Sequence, residues 1–412
     1  MRIAAWRAAG IVIRWETVHP QRHSAMVFPL QTVVGVVASL WMMAPSVPGA
    51  SWVISGNETK IDLTGGAPRR VVPDGPDSLS LMDFSVFPPR ITHVMDVPNT
   101  VIGPPSNIAL TPDGKLALVA NSIRLDPSSA TNWVPDFQVS VLDLGQQPPR
   151  IVGHVGTGAQ PSGISITRDG RAALVANRAG GTLSVLSIRG TQVSSVGEVT
   201  VCGAADSLSD VAISPDGRTV LASVQKGGYL AVLKWEGSLP SLTSQKVSTC
   251  GQPYRVVITP DGAMGLTAGA GVGNRVDRDA LTVVDLTSSP VRTTDYVALG
   301  AVPESIEVSP DGRWVAAVVM AGSNLAVGDP NHTDAGRLVM LERVGRTVRV
   351  RQEIAVGRIP EGVAFSPDGR YVLVQCHADR EIRIFEMRRG RVRDTGRRVG
   401  VPGFPSALRA SP

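Results

Sequence analysis

The chain has 412 residues, of which 43% are hydrophobic and 4% aromatic, and its formal net charge at pH 7 is +5. Residues 1–49 hold four arginines and one glutamate, so a net charge of +2 is left for residues 50–412. A nearly neutral body lacks the concentrated basic face that nucleic-acid binding needs, so the composition argues against a nucleic-acid partner. The apolar fraction and the length are typical of one large domain.

The first element along the chain is an uncharged apolar run over residues 32–44, followed by small residues and prolines up to Ala50. A run of this length is too short to cross a bilayer, which takes roughly 20 residues. The pattern indicates a signal peptide in residues 1–49 and a periplasmic or secreted protein without a transmembrane anchor after cleavage. Met26 is an alternative start, in which case residues 1–25 are a wrongly assigned leader.

One pattern then recurs six times: a short apolar strand, a Ser/Thr-Pro-Asp-Gly corner and a second apolar strand. Its copies occupy residues 105–121, 161–177, 208–224, 253–269, 303–319 and 360–376, and only the second copy departs at the corner, with Arg168 in place of proline. Proline presets the first turn position and glycine takes the left-handed one, so each corner predicts a tight hairpin. A period of about 40 to 50 residues built from short strands is typical of propeller blades.

The two ends of the domain complement each other. Residues 52–57 match the second strand of a repeat without a first strand before them, whereas residues 404–412 match an isolated first strand. We therefore expect the C-terminal strand to join the N-terminal blade and so to close the ring without an exposed sheet edge. The predicted fold is all-β: a single seven-bladed β-propeller of four-stranded antiparallel blades over residues 50–412.

The corner, followed by Ala-Leu-Val-Ala-Asn at residues 117–121 and 173–177, resembles the YVTN-type repeats of bacterial β-propellers. The lactonase-like seven-bladed propellers carry similar repeats, and the resemblance extends over residues 51–412. The Gly-His and Trp-Asp signatures of WD40 repeats are missing. For function, the resemblance implies a lactone hydrolase of the 6-phosphogluconolactonase type, in which a His/Arg/Glu group at the channel polarises the ester carbonyl and positions water.

Three extended loops follow the second strands of their repeats, at residues 122–137, 270–280 and 320–336. In a propeller this place lies on the face opposite the Pro-Asp-Gly corners, so we expect the loops to crowd one mouth of the central channel. The residues after the leading prolines should ring that mouth, and Glu304 and Glu361 are neighbours in the ring. Paired carboxylates of unequal pKa can act as acid and base, or help to hold a divalent cation.

The candidate catalytic residues are accordingly Glu304, Glu361, Arg255 and His377. The candidate ligand-binding residues come from the same mouth and its loops: Asn107, Asn121, Arg124, Asn177, Arg178, Asp210, Tyr254, Arg275 and His332. No metal site is assigned, and a divalent cation is the one cofactor left open. The sequence lacks the nucleophile elbow, zinc and haem signatures. The alternative for all these polar positions is that they merely meet water.

Two functions stay open, and the sequence does not decide whether the protein is an enzyme. The first is an exported binding propeller that holds a small polar ligand, or a partner protein of the cell envelope, over the mouth. The second is the lactone hydrolase that the resemblance implies.

Arginines concentrate on the predicted outer strands of the last two blades. They are Arg343, Arg346, Arg349, Arg351, Arg388, Arg389, Arg391, Arg393, Arg397 and Arg398. Such a charged edge either discourages aggregation between sheet edges or binds an anionic partner.

The sequence does not decide whether two of the three cysteines form a disulfide. Cys202 and Cys250 occupy equivalent places before successive blades. In an exported protein they could form a disulfide, or they could be two small core residues. Cys376 lies at the end of a second strand beside His377, where a buried packing role is the simpler interpretation.

The apolar run at residues 32–44 gives the first testable prediction. Expressed with its leader in a bacterial host, the protein should be found in the periplasmic fraction with a new N-terminus between Val47 and Ser51. Cell fractionation and N-terminal sequencing measure this. An intact N-terminus in the cytoplasm would contradict export.

Overall fold

The computed structural model describes residues 51–270 and 277–412, so the predicted signal peptide lies outside the described residues. The described chain is made of strands, turns and loops, with a single turn of 3-10 helix at Ala204–Asp206. Within these residues no helix is long and apolar enough to span a membrane.

The strands are numbered along the chain. The N-terminal part holds β1 (Trp52–Glu58), a small hairpin of β2 (Ile61–Asp62) and β3 (Arg69–Arg70), then β4 (Ser78–Asp83) and β5 (Arg90–Met95). Blade 2 has β6 (Ile108–Leu110) and β7 (Leu116–Ala120), an inserted hairpin of β8 (Ile123–Leu125) and β9 (Trp133–Pro135), then β10 (Gln138–Asp143) and β11 (Arg150–Gly156). Blade 3 has β12 (Pro161–Ile166), β13 (Ala172–Asn177), β14 (Thr182–Arg189) and β15 (Gln192–Thr200).

The remaining blades follow the same order from the channel outward. Blade 4 has β16 (Leu208–Ile213), β17 (Thr219–Val224), β18 (Tyr229–Lys234) and β19 (Ser241–Ser248). Blade 5 has β20 (Arg255–Ile258), β21 (Met264–Ala268), β22 (Asp279–Asp285) and β23 (Arg292–Gly300). Blade 6 has β24 (Pro303–Val308), β25 (Trp314–Val319), β26 (Arg337–Val344) and β27 (Thr347–Ala355). Blade 7 has β28 (Pro360–Phe365), β29 (Tyr371–Cys376), β30 (Glu381–Arg388) and β31 (Arg391–Gly400), and the last strand is β32 (Phe404–Ala410).

The seven four-stranded antiparallel sheets confirm the predicted propeller. Blade 1 has the strand order β32-β1-β4-β5, so its innermost strand comes from the C-terminal end of the chain. β1 and β32 pair from Val53 with Ala410 to Glu58 with Phe404. This pairing of β1 with β32 is the seam of the ring. Blade 7 stabilises the seam because the Gln375 side-chain amide donates to Ser55 Oγ at 2.7 Å and to the Ala407 carbonyl at 2.6 Å. The predicted ring closure is therefore confirmed.

The corners owe their shape to local hydrogen bonds. In blade 7 the Ser366 hydroxyl donates to Asp368 Oδ1 at 2.6 Å, and the same oxygen accepts the Arg370 amide at 3.0 Å. Gly369 has a φ of 68°, in the left-handed region that glycine adopts without strain. The same hydroxyl-to-aspartate bond recurs at the other five corners.

The hydrophobic core lies between neighbouring blades. Leu118 of blade 2 and Val175 of blade 3, for example, are fully buried in one cluster. Each blade therefore buries its faces against the blades beside it, which leaves the innermost strands to line the channel.

The cysteines are free thiols in the structure: Cys202 and Cys250 are half-buried, and Cys376 is buried. The open disulfide between Cys202 and Cys250 is therefore not formed, and burial raises the pKa of the Cys376 thiol to about 12.

The seam gives the second prediction. Removing residues 404–412 deletes the innermost strand of blade 1 and exposes two sheet edges, so cooperative thermal unfolding should be lost or its midpoint strongly lowered. A matched truncation of residues 411–412, which leaves β32 intact, should cost far less. Calorimetry or circular dichroism measures both, and an unchanged midpoint in the longer truncation would rule out closure by β32.

Candidate functional site

A cavity of about 430 Å³ lies at the channel mouth on the face opposite the corners. Its lining includes Trp133, Ala270 and Asn324, so each of the three extended loops contributes a residue. The small β2–β3 hairpin, which sequence analysis did not identify, adds Leu63 and the turn up to Pro68. The polar side chains of the lining are Arg178, Gln225, Tyr254, Glu304 and Asn324.

Glu304 and Glu361 form an electrostatically coupled pair. Burial raises the pKa of Glu304, which lines the cavity, to about 8, although Arg178 acts in the opposite direction. Glu361 is fully buried and neither carboxylate oxygen has a hydrogen-bond partner among the described residues. Burial, and then the charges of Glu304 and Glu58, raise the pKa of Glu361 well above its usual range. Two buried carboxyl groups whose charges repel do not ionise independently, because ionisation of one raises the pKa of the other.

Arg178 and Tyr254 are two of the hydrogen-bond donors that line the cavity. The Arg178 Cζ atom lies 5.8 Å from the centroid of the Tyr254 ring. Arg178 Nη1 is buried and has no partner among the described residues. Burial, and then Glu304, raise the pKa of the Tyr254 phenol well above its usual value, so the phenol keeps its proton. Both groups can therefore donate to an oxygen atom placed in the cavity.

Glu58, which sequence analysis missed, is a third buried acid near Glu304 and Glu361, and its charge contributes to the raised pKa of Glu361. It is fully buried at the end of β1, accepts the Val101 amide at 2.6 Å and lies 3.3 Å from Lys60 Nζ. Burial raises the pKa of Glu58 to about 7, with Lys60 opposing the shift and Asp77 adding to it. Lys60 itself bonds Asp77 at 2.6 Å, so its charge is shared between two carboxylates.

His377 is buried and held as a neutral imidazole. Its Nδ1–H donates to the Pro405 carbonyl at 3.0 Å, and its ring stacks on Phe404 with centroids 4.8 Å apart. Burial lowers the pKa of His377 to about 4. Nε2 has no partner among the described residues, so it presents a free acceptor beside the seam.

Arg255 and Asp210 lie in a separate network along the innermost strands. Arg255 Nε donates to the Ile306 carbonyl at 2.7 Å, its Nη2 to Glu307 at 2.5 Å, and its Nη1 lies 3.8 Å from Asp210. Asp210 also accepts from the Ser106 hydroxyl at 2.8 Å. Neither Arg255 nor Asp210 is among the described residues that line the mouth cavity.

Three of the predicted ligand-binding asparagines form hydrogen bonds through the side-chain NH2 group but, among the described residues, not through the side-chain oxygen. The Asn107 amide donates to two backbone carbonyls, the Asn121 amide to the Ile123 carbonyl and Asp136, and the Asn177 amide to two hydroxyls. The carbonyl oxygen of each lacks a partner among the described residues.

The remaining predicted residues lie in the insertions that follow second strands, with Arg124 in the inserted strand β8. Arg124 is mostly exposed and lies 3.4 Å from Asp136. His332 Nδ1 is 2.9 Å from the Leu325 carbonyl, and its Nε2 is 3.4 Å from Asp334. Arg275 lies outside the described residues.

A divalent cation gains no support at the mouth. Within the described ranges, one trio of possible ligands comes close enough to hold a metal, and it consists of Cys376, Asp379 and Glu381 rather than the mouth carboxylates. Arg358 and Arg383 already bond these acids at 2.9 and 2.7 Å. Two guanidinium groups beside the carboxylates disfavour a cation there.

Glu58 and Gln225, which sequence analysis missed, share one repeat position at the end of the second strand with Arg178 and His377, which it identified. The amide of this residue bonds the carbonyl that precedes the innermost strand, at 2.8 Å for Arg178, 2.9 Å for Gln225 and 2.9 Å for His377. Glu58, the last residue of β1, takes the same position, since it pairs with Phe404, the residue before Pro405. Alignment of all blades at this position, rather than at the proline alone, would have identified Glu58 and Gln225.

The fold and the mouth define the class: a seven-bladed β-propeller with buried carboxylates at one end of its channel. A model of the family described as lactonase, 7-bladed beta-propeller matches residues 137–258. This match confirms the resemblance to the lactonase-like propellers that the repeats indicated.

The solved structures similar to the chain include three that are described as lactonases. A candidate 6-phosphogluconolactonase from Bacteroides uniformis is 16% identical, covers 87% of this chain and 99% of its own, and has a TM-score of 0.64. A second one, from Bacteroides fragilis, has 16% identity, 89% and 99% coverage and a TM-score of 0.65. The periplasmic gluconolactonase PpgL of Pseudomonas aeruginosa has 19% identity, 87% and 99% coverage and a TM-score of 0.61. These identities establish the fold alone, and no curated protein sequence matches the chain.

The raised pKa of Glu304 gives the third prediction. Above pH 4.5 an unfolded glutamate loses its proton, whereas folded Glu304 keeps its proton up to about pH 8. The folded state therefore binds more protons in this window, and its stability falls as the pH rises. Glu304→Gln cannot ionise, so its melting temperature should exceed that of the wild type at pH 8 and approach it at pH 4.

Thermal unfolding between pH 4 and pH 9 tests this expectation. His377 acts in the opposite sense, since a base with a lowered pKa destabilises the folded state as the pH falls below about 6.5. This contribution is common to both proteins and cancels in the comparison. Glu198→Gln, on an exposed position of β15, is the matched control and should follow the wild type. A Glu304→Gln profile parallel to the wild type would show that Glu304 is not held protonated.

Proposed function

We propose that the protein hydrolyses a sugar lactone in the mouth cavity. The observation that carries this proposal is that Glu304, whose pKa is raised to about 8, lines the same cavity as Tyr254 and Arg178, and that Arg178 Nη1 has no hydrogen-bond partner among the described residues. Support comes from the match to the lactonase family over residues 137–258, a segment that contains Arg178 and Tyr254. The match to propellers described as lactonases supports the fold on which such a site is built.

In the proposed reaction each group has a role. Arg178 and Tyr254 donate to the lactone carbonyl and stabilise the oxyanion that forms when water attacks. Ionised Glu304 takes one proton from that water, and the same proton passes to the ring oxygen as the C–O bond breaks. The products are the hydroxy acid and the regenerated carboxylate. Glu361 is a positioning residue: burial and the charge of Glu304 raise its pKa, so Glu361 keeps its proton while Glu304 ionises and the pair carries a single negative charge.

The charge of the cavity favours an unphosphorylated lactone. Among the described lining residues Arg178 is the single guanidinium, and it faces an acid, Glu304. A phosphate dianion usually requires several cationic or backbone N–H donors. A neutral lactone instead needs one donor at the carbonyl and one base for water.

Binding without turnover is the second candidate, in the form of an exported propeller that holds a small polar ligand. Gln225 Oε1 and Arg178 Nη1 are buried and lack partners in the described chain. Such groups gain hydrogen bonds from a ligand whether or not the ligand reacts. A periplasmic location suits either candidate and is part of the proposal.

The fourth prediction concerns hydrolysis of glucono-δ-lactone and its 6-phosphate, measured by acid release above the uncatalysed rate. The wild type should hydrolyse the neutral lactone faster, and kcat should rise with pH towards about 8 as Glu304 ionises. Glu304→Gln should lower kcat by about 100-fold or more, the usual contribution of a general base, with a small effect on KM. Arg178→Gln should lower kcat as well.

The matched control is Glu353→Gln on the outer strand β27, which should keep wild-type rates. Full activity of Glu304→Gln would disprove its role. A rise in melting temperature with the lactone but no acid release would favour the binding candidate, because ligand at 100 times its dissociation constant adds about 2.7 kcal/mol of stability.

A further inference from the structure

The positive charge of the domain is concentrated in two outer hairpins. The β26–β27 hairpin, residues 337–355, carries five arginines and two glutamates. The β30–β31 hairpin, residues 381–400, carries seven arginines and three acidic residues. Together they sum to +7, although residues 50–412 sum to only +2, so the rest of the domain has a net charge of −5. The domain is therefore an acidic body with one basic side.

The fold brings the two hairpins together. The Gln352 side chain donates to the Val392 carbonyl at 3.0 Å and accepts the Val392 amide at 3.0 Å, which joins β27 to β31. Several arginines of the set are already used within the fold: Arg343 bonds Asp261 at 2.7 Å and Arg346 bonds Asp285 at 2.8 Å. These contacts tie blade 6 to blade 5.

The arginines around the end of the β30–β31 hairpin are different. They are exposed, and within the described chain they form no ion pair: Arg388, Arg389, Arg391, Arg393 and Arg397. Their hairpin turn is on the corner face, since Gly390 lies against the Trp314 ring just after the blade 6 corner. This face is opposite the mouth cavity.

An exposed apolar loop borders these arginines. Val86 and Phe87, between β4 and β5, are 38% and 43% exposed. The Phe87 ring stacks on Tyr371 with centroids 4.3 Å apart, and Arg370 lies over the same tyrosine at 5.6 Å. The Met387 amide bonds the Arg370 carbonyl at 2.8 Å, so the loop is continuous with Arg388.

We propose that this basic corner patch, formed by Val86, Phe87, Arg370, Arg388, Arg389, Arg391 and Arg393, docks the protein on an anionic lipid surface. Guanidinium groups bind lipid phosphates, and an exposed phenylalanine on a short loop can insert among the headgroups. A lipid surface can bind spaced positive charges beside an apolar loop, because its headgroups need no fixed arrangement. An acidic protein partner would instead need acidic side chains placed opposite these arginines. Docking by this face leaves the mouth cavity open to solution on the far side.

Vesicle co-sedimentation of the full chain tests the proposal, with phosphatidylcholine vesicles that contain either no or about 30% phosphatidylglycerol. The wild type should bind the anionic vesicles about tenfold more tightly, and added salt should weaken that preference. The variant Arg388→Gln/Arg391→Gln/Arg393→Gln should lose the preference. Arg389 is left in place because its φ of 50° is a left-handed turn position. Phe87→Ser should keep the preference but bind less tightly.

The matched control is Arg150→Gln/Arg168→Gln/Arg189→Gln, which removes the same charge from exposed positions of blades 2 and 3. It should bind as the wild type does, and the leader is common to all variants. Thermal melts confirm that each variant is folded. Equal binding by the two triple variants would overturn the proposal, as would the absence of a preference for anionic vesicles. Binding to soluble polyglutamate with none to vesicles would also overturn it, and would indicate an acidic polymer as the partner.

Discussion

The pairing of β32 with β1 is the interaction on which both the ring and its site depend. A propeller buries its hydrophobic surface between neighbouring blades, so a ring with one open seam loses an interface and exposes two sheet edges. The same pairing completes the mouth. Glu58 ends β1 opposite Phe404 of β32, and His377 of blade 7 packs on Phe404. Closure therefore assembles part of the candidate site in the same step that completes the fold.

The pKa values of carboxyl groups are shifted in opposite directions on the two faces of the propeller. At the corners, hydrogen bonds from a hydroxyl and a backbone amide lower the pKa of Asp169 and Asp216. At the mouth, burial raises the pKa of Glu304 and Glu361. The strands that connect the faces are the same, so the difference lies in the local environment. The corner carboxylates accept hydrogen bonds that stabilise turns, whereas neither oxygen of Glu361 has a hydrogen-bond partner among the described residues. Unsatisfied buried acids cost stability and are retained where chemistry uses them.

Most of the fold could be predicted because its signals are local or repeated. The corner needs only Ser or Thr, Asp and Gly at fixed spacing, and the complementary ends at residues 52–57 and 404–412 specify closure. The β2–β3 hairpin was not predicted because strands of two residues carry no alternation of polar and apolar side chains. The thiols of Cys202 and Cys250 show a related limit, since equivalent places in adjacent blades do not guarantee bonding distance.

The site was predictable only in part. Repeat position placed Glu304 and Glu361 beside each other, because equivalent residues of adjacent blades must meet at the channel. It did not place Arg255, which follows the leading proline by two residues and bonds Glu307 and Asp210 instead. The direction of a side chain along a channel depends on which partners lie within reach, and these come from other blades. Glu58 was missed because its blade lacks the first strand and corner that marked the other six.

The split blade also has a consequence for synthesis. Glu58 leaves the ribosome about 350 residues before its partner Phe404, which corresponds to roughly 20 to 70 s at about 5 to 20 residues per second. Blades 2 to 7 pair neighbouring strands through short hairpins and can form while the chain grows. During that interval β1 has no inner partner, and the nascent domain stays an open arc. The buried acids around Glu361 thus become dry only after the last strand arrives, which makes the proposed chemistry a property of the finished chain alone.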